Sequence, residues 1–98
     1  MRLFLCGFFA ATALVAASGA RAADGQAVYT QACGMCHDNI PPKIGDKAAW
    51  APLIKQGTDA LVASVIKGKG AMPARGGQAN LSDADIKASV EYLVSKSQ

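Results

Sequence analysis

Cys33-Gly34-Met35-Cys36-His37 is the stretch on which the reading of this chain turns. Within one helical turn, residues i and i+3 share a face and i+4 lies beside them, so two thiols and one imidazole emerge together from five residues. In that arrangement Cys33 and Cys36 reach two neighbouring vinyl groups on one haem edge while His37 turns its ring under the iron. This C-x-x-C-H spacing is the signature of c-type haem attachment. Three rival chemistries use the same residue types. A thioredoxin-like C-x-x-C belongs beside a βαβ pattern, which this sequence lacks. Zinc requires a fourth ligand, and a plain disulfide gives His37 no task.

Upstream of the motif, Met1 to Ala23 holds all three Phe and a single charge, Arg2, before Arg21. Arg2 makes a short positive start, Leu3 to Ala17 an apolar core, and Ser18 to Ala22 a small-residue stretch ending in Ala20-Arg21-Ala22. Those are the parts of a secretory signal cleaved after Ala22. The expected organisation is therefore a signal peptide over 1–22 and one domain over 23–98, exported to the periplasm. Cys6 precedes the apolar core and so does not fit a lipoprotein site. The apolar run is shorter than the roughly 20 residues a bilayer requires, so no membrane span is expected after cleavage.

Removing 22 of 98 residues leaves 76, with 8 of the 10 Lys+Arg and all 7 Asp+Glu, a net charge of +1. Few bases and no interleaved aromatics exclude a nucleic-acid binder. Only Tyr29, Trp50 and Tyr92 remain as aromatics, a thin core for a chain whose size class usually leans on a metal, disulfide or other insert. Covalent haem fills that need.

The elements read as helices. Asp24 caps a short one through Ala27, Val28, Tyr29 and Ala32 towards the Cys pair. Asn39 to Gly45, with Pro41, Pro42 and Gly45, breaks it. A second is expected over Lys47 to Lys55, broken or late-starting because Pro52 lies inside it. Thr58 caps a third, with Leu61, Val62, Val65 and Ile66 at helical spacing and Gly68 at its end. Lys67 to Asn80 reads as a Gly-rich loop. Ser82, Asp83 and Asp85 start the last helix, striped with Ile86, Val90, Leu93 and Val94. No strand-length alternation occurs, so the fold class is all-α: three to five short helices wrapped round one haem.

His37 is the only His, so a second axial nitrogen from this chain is excluded. Met35 lies between the two tethers on the His37 side. Met72 is left as the sixth iron ligand: Gly68 and Gly70 permit close backbone approach, and Pro73 biases Met72 towards an extended conformation. Met/His ligation raises the reduction potential and closes the iron to oxygen and peroxide, which favours an electron carrier over an enzyme.

Cys33-Gly34-Met35-Cys36-His37, Pro42-Lys43-Ile44-Gly45-Asp46 with Ala49-Trp50-Ala51-Pro52, and Met72-Pro73 with Gly76-Gly77 and Leu81-Ser82-Asp83 resemble the small bacterial class I cytochromes c of c-five type. The resemblance covers nearly all of 23–98. It implies Tyr29 packed near Tyr92, and a Pro carbonyl, from Pro41 or Pro42, accepting the Nδ1 proton of His37. It also suggests that Trp50 donates its indole N–H to a haem propionate, against the alternative of a plain core Trp. The segment from His37 to Pro42 is about three residues shorter than the family pattern, and the extra Cys pair of some members is missing. Charge sums to −2 over 23–42, +4 over 43–75 and −1 over 76–98. The middle block flanks Met72, so weak, transient docking on the acidic patch of a redox partner is expected. The expected function is a monomeric periplasmic monohaem carrier of single electrons. The alternative is a dedicated haem subunit of a periplasmic dehydrogenase or oxidase complex.

Overall fold

The computed structural model describes residues 24–98. The signal expected over 1–22 lies outside these residues. Among the described residues the chain is helical, with one isolated β-bridge between Lys69 and Met72.

The Asp24 carboxylate accepts from the Gln26 and Ala27 amides and starts α1 (Gly25–Val28). The helix then widens into a π-wound turn, Tyr29–Cys33, in which the Gly34 amide reaches back five residues to the Tyr29 carbonyl. It resumes as α2 (Gly34–His37). Sequence periodicity gives no sign of this bulge. A π turn inserts one residue and rotates everything after it, and such bulges recur at functional sites.

Asp46 caps α3 (Lys47–Ile54) by accepting from the Ala49 amide. The expectation of a broken or late helix is corrected: α3 runs unbroken through Pro52. Pro52 and Ala48, whose carbonyl loses its usual donor, are both exposed, so water can satisfy that oxygen. A second correction concerns the start of α4 (Thr58–Lys67). Its cap is Gly57 at φ 93°, and Thr58 is already helical, with no side-chain cap bond. Gly68, at φ 85°, ends it as expected. The loop beyond contains a turn, Ala74–Gly77, in which Arg75 and Gly76 are left-handed.

Ser82 and Asp85 form a reciprocal capping box at the start of α5 (Asp83–Lys96). All four residues of its expected stripe, Ile86, Val90, Leu93 and Val94, are buried. On one side α5 packs with Val28, Ala32 and Leu81, and Leu61, Val62, Val65 and Ile66 of α4 lean on that cluster. On the other, Leu93 meets Tyr29 and Trp50. Tyr29 and Tyr92 lie with ring centroids 5.5 Å apart, the contact the resemblance implies. No residue of α4 is fully buried, and part of its apolar face is turned to a cleft.

Candidate cofactor-binding cleft

The π turn and α2 bring Cys33 to a half-buried position and Cys36 to an exposed one, both as free thiols. Burial, the largest influence, pushes the Cys33 thiol above its ordinary pKa; Ser89 pulls it down and Cys36 adds to the rise. A neutral thiol results at physiological pH. Met35 is 82% exposed and is not among the residues that line the cleft.

His37 is fixed twice. Its Nδ1 lies 2.8 Å from the Pro42 carbonyl, and its own carbonyl accepts from the Ile44 amide at 2.8 Å. A carbonyl oxygen only accepts, so Nδ1 carries the proton and the lone pair is on Nε2. Of the two prolines the sequence left open, Pro42 is the one in contact. The shortened loop does reach.

Two readings were open for Trp50, and in this structure it is a buried core residue that also borders the cleft. Its indole N–H donates to the Lys43 carbonyl at 2.8 Å. The ring is 93% buried and lies 5.7 Å, centroid to centroid, from that of His37. Trp50 therefore secures the segment that carries the Pro42 carbonyl.

Cys33, Cys36, His37 and Met72 all line one cleft of about 640 Å³. That volume falls in the range of about 300–1,000 Å³ common for cofactor pockets. Leu53 of α3, Leu61 and Val65 of α4, and Val90 and Leu93 of α5 complete its apolar wall, and Lys69 brings the one ammonium. Among the described residues no buried side-chain polar atom lacks a partner. None forms a cage of three or more His, Cys, Asp or Glu side chains for a bare ion. The donor set fits a flat apolar macrocycle instead: two thiols for tethering, one imidazole nitrogen and one thioether sulfur for a central metal, and aliphatic walls.

Sequence reasoning missed several supporting contacts. The Tyr29 hydroxyl donates to Asp38 at 2.7 Å, and that carboxylate lies over Gly34, where a Cβ would come within 3.1 Å of it. Gln78 donates to the Gln31 carbonyl, and Arg75 to the Leu81 carbonyl. No spacing rule pairs residues 47 apart; only the paired Gly76-Gly77 beside Arg75 hinted at a special turn.

Residues 20–93 match the family model described as cytochrome C oxidase, cbb3-type, subunit III. Cytochrome c-555 of Chlorobaculum tepidum is 49% identical over 84 residues, covering 79% of this chain and 78% of that protein. Cytochrome c5 of Azotobacter vinelandii is 38% identical over 77 residues, covering 74% and 93%. Among solved structures, a chain from a crystal structure of an electron transfer complex of nitrite reductase with cytochrome c superposes with a TM-score of 0.73. It is 47% identical, and the match covers 76% of this chain and 95% of that one. With the cleft and its donors as described, this chain belongs to the cytochrome c family, as a small class I member of c-five type that carries electrons on covalently bound haem c.

Proposed function

We propose that the chain is a periplasmic monohaem carrier in which Cys33 and Cys36 form the thioethers and His37 and Met72 supply the two axial ligands. One observation carries the reading: Cys33, Cys36 and His37 line the same apolar cleft as Met72, far from them in sequence. Bound haem supplies a one-electron iron couple, whose potential a His/Met pair raises. The protein does the rest. Pro42 keeps the proton on Nδ1 and so aims Nε2 at the metal position. Leu53, Leu61, Val65 and Leu93 keep water from the ring. On this reading 1–22 is the export signal, 23–98 is the working domain, and attachment takes place outside the cytoplasmic membrane.

Docking is weak and reversible on this reading. Ile40, 56% exposed, and Lys69 both border the cleft mouth, and among the described residues Arg75–Asp83 is the one ion pair. The lysines of the 43–75 block are thus free to steer a partner with an acidic patch. Rates of electron transfer to such a partner should fall as salt rises; a flat profile removes electrostatic docking.

The ligand assignment has a direct test. The pyridine haemochrome spectrum of the purified protein should show thioether-bound haem, and Met72→Ala should abolish the weak thioether-to-iron band and let the reduced protein bind carbon monoxide. A second reading, a haem-bearing subunit of an oxidase or dehydrogenase, is favoured by the oxidase subunit for which the matching family is described. Size exclusion of native extract separates the two, since a subunit would comigrate with its enzyme. No helix among the described residues is long and apolar enough to cross a membrane.

A further inference from the structure

Arg75 is the one non-glycine residue with positive φ among the described residues, at φ 56° and ψ 28°. It is followed by Gly76 and Gly77, which adopt such angles without penalty. An L-residue in this region stores backbone strain that the surroundings must offset, so its side chain has a use that glycine could not meet. The contacts show what it is. One guanidinium nitrogen donates to the Leu81 carbonyl at 2.9 Å, and the other to Asp83 Oδ1 at 2.8 Å. The fork therefore ties the turn after Met72 to the start of α5. A second tie runs to the haem-attachment helix: the Gln78 amide donates to the Gln31 carbonyl at 3.0 Å, and Gln31 Nε2 to Gln78 Oε1 at 3.4 Å. Met72 itself is half-buried on the cleft, and its backbone is paired only with Lys69 of the same loop.

We propose that Arg75 is a positioning residue for the Met72 thioether: its guanidinium fork anchors the loop that holds the sulfur in the cleft. The proposal rests on the reading of Met72 as an iron ligand. A thioether is a weak, neutral donor, so retention of the bond depends on how tightly its loop is held rather than on charge. Gly68 tightens the same loop from the other end, because a Cβ there would come within 2.9 Å of the Ala74 amide nitrogen.

The test uses the haem-loaded protein and three variants: Arg75→Gly, Arg75→Lys and Asp83→Asn. Arg75→Gly relieves the backbone while deleting the fork, so it separates the side chain's role from the strain. In the wild type the thioether-to-iron band and far-UV dichroism should melt together. In R75G the band should vanish at a temperature below helix melting, and carbon monoxide should bind the reduced form at least tenfold faster. R75K keeps the charge but cannot hold two acceptors with a planar fork, so it should fall between; D83N should resemble it. A merely structural role would lower both melts together and leave carbon monoxide binding unchanged, which overturns the proposal. Should R75G fail to load haem, the same comparison in R75K and D83N decides. A wild type without the band defeats Met72 ligation itself, and the positioning role with it. A band present in the wild type and equally robust in the variants defeats Arg75 alone.

Discussion

Tyr29 is 95% buried, and its hydroxyl has one partner, the exposed Asp38 next to His37. Burial, then the hydrogen bond and the charge of Asp38, push the phenol well above its ordinary pKa of about 10. The folded state thus keeps its proton where the unfolded chain gives it up. The stabilisation is complete below about pH 10 and is lost as pH rises from there towards the folded value. Tyr29→Phe should cost about 1–2 kcal/mol near neutrality, at the lower end because water can replace the phenol at Asp38. It should also flatten the loss of melting temperature between about pH 9 and 11; parallel slopes in wild type and variant would refute this origin. At this scale the sequence was legible where chemistry is local. The roles proposed for Cys33, Cys36 and His37 rest on spacing and that proposed for Met72 on elimination, whereas the Trp50 partner had no local signal. An indole N–H donates to whichever acceptor oxygen folding brings near, and here that is the Lys43 carbonyl.

Gly25 in α1 lies where the first and last helices cross. A Cβ there would fall on the Ala88 carbonyl oxygen and come within 2.9 Å of its carbon, and backbone in a helix cannot step aside. Gly25→Ala, which on propensity alone favours a helix, should therefore separate α1 from α5 and cost about 1–3 kcal/mol, read as a lower thermal midpoint. Ser82→Ala at the other end of the contact tests a different force. It removes the acceptor of the Asp85 amide and half of the capping box, and should cost about 1 kcal/mol with no change in the haem spectrum. Both positions show how far elements could be read ahead. Caps and stripes are local, so Asp24, Gly68, Ser82 and the α5 stripe fell where patterning put them. The π turn at Tyr29–Cys33 and the unbroken α3 answer to packing instead. Trp50, anchored to Lys43 and packed on Leu93, holds α3 in place through Pro52.

Over the whole molecule the protein core is incomplete by itself. Among the described residues Ile86 is the one large aliphatic covered to 1% exposure, and the two core clusters meet along α5 without a third layer. Leu53, Leu61, Val65 and Met72 stay half-covered, and all four face the cleft. Half of the apolar stripe of α4, Leu61 and Val65, thus leans on the core with one side and leaves the other to the cleft, and full burial of that stripe is what would otherwise oppose the conformational entropy of so short a chain. Covalently bound haem would supply the missing surface, and the proposed tethers at Cys33 and Cys36 would make its contribution permanent. A Cys33→Ala/Cys36→Ala variant, unable to retain haem covalently, should accordingly be largely unfolded by far-UV dichroism and show no cooperative melt. Of the helices, α5 should keep the most residual structure, because its capping box and length, Asp83 to Lys96, support it without tertiary contacts. A variant that kept full helicity and melted sharply would mean that the helices close the cleft on each other. In that case α4, already packed against α5, would have to close further over the cleft, and Leu61 and Val65 would become protected from solvent in the apo form. Hydrogen exchange along Thr58–Lys67 would detect that protection directly.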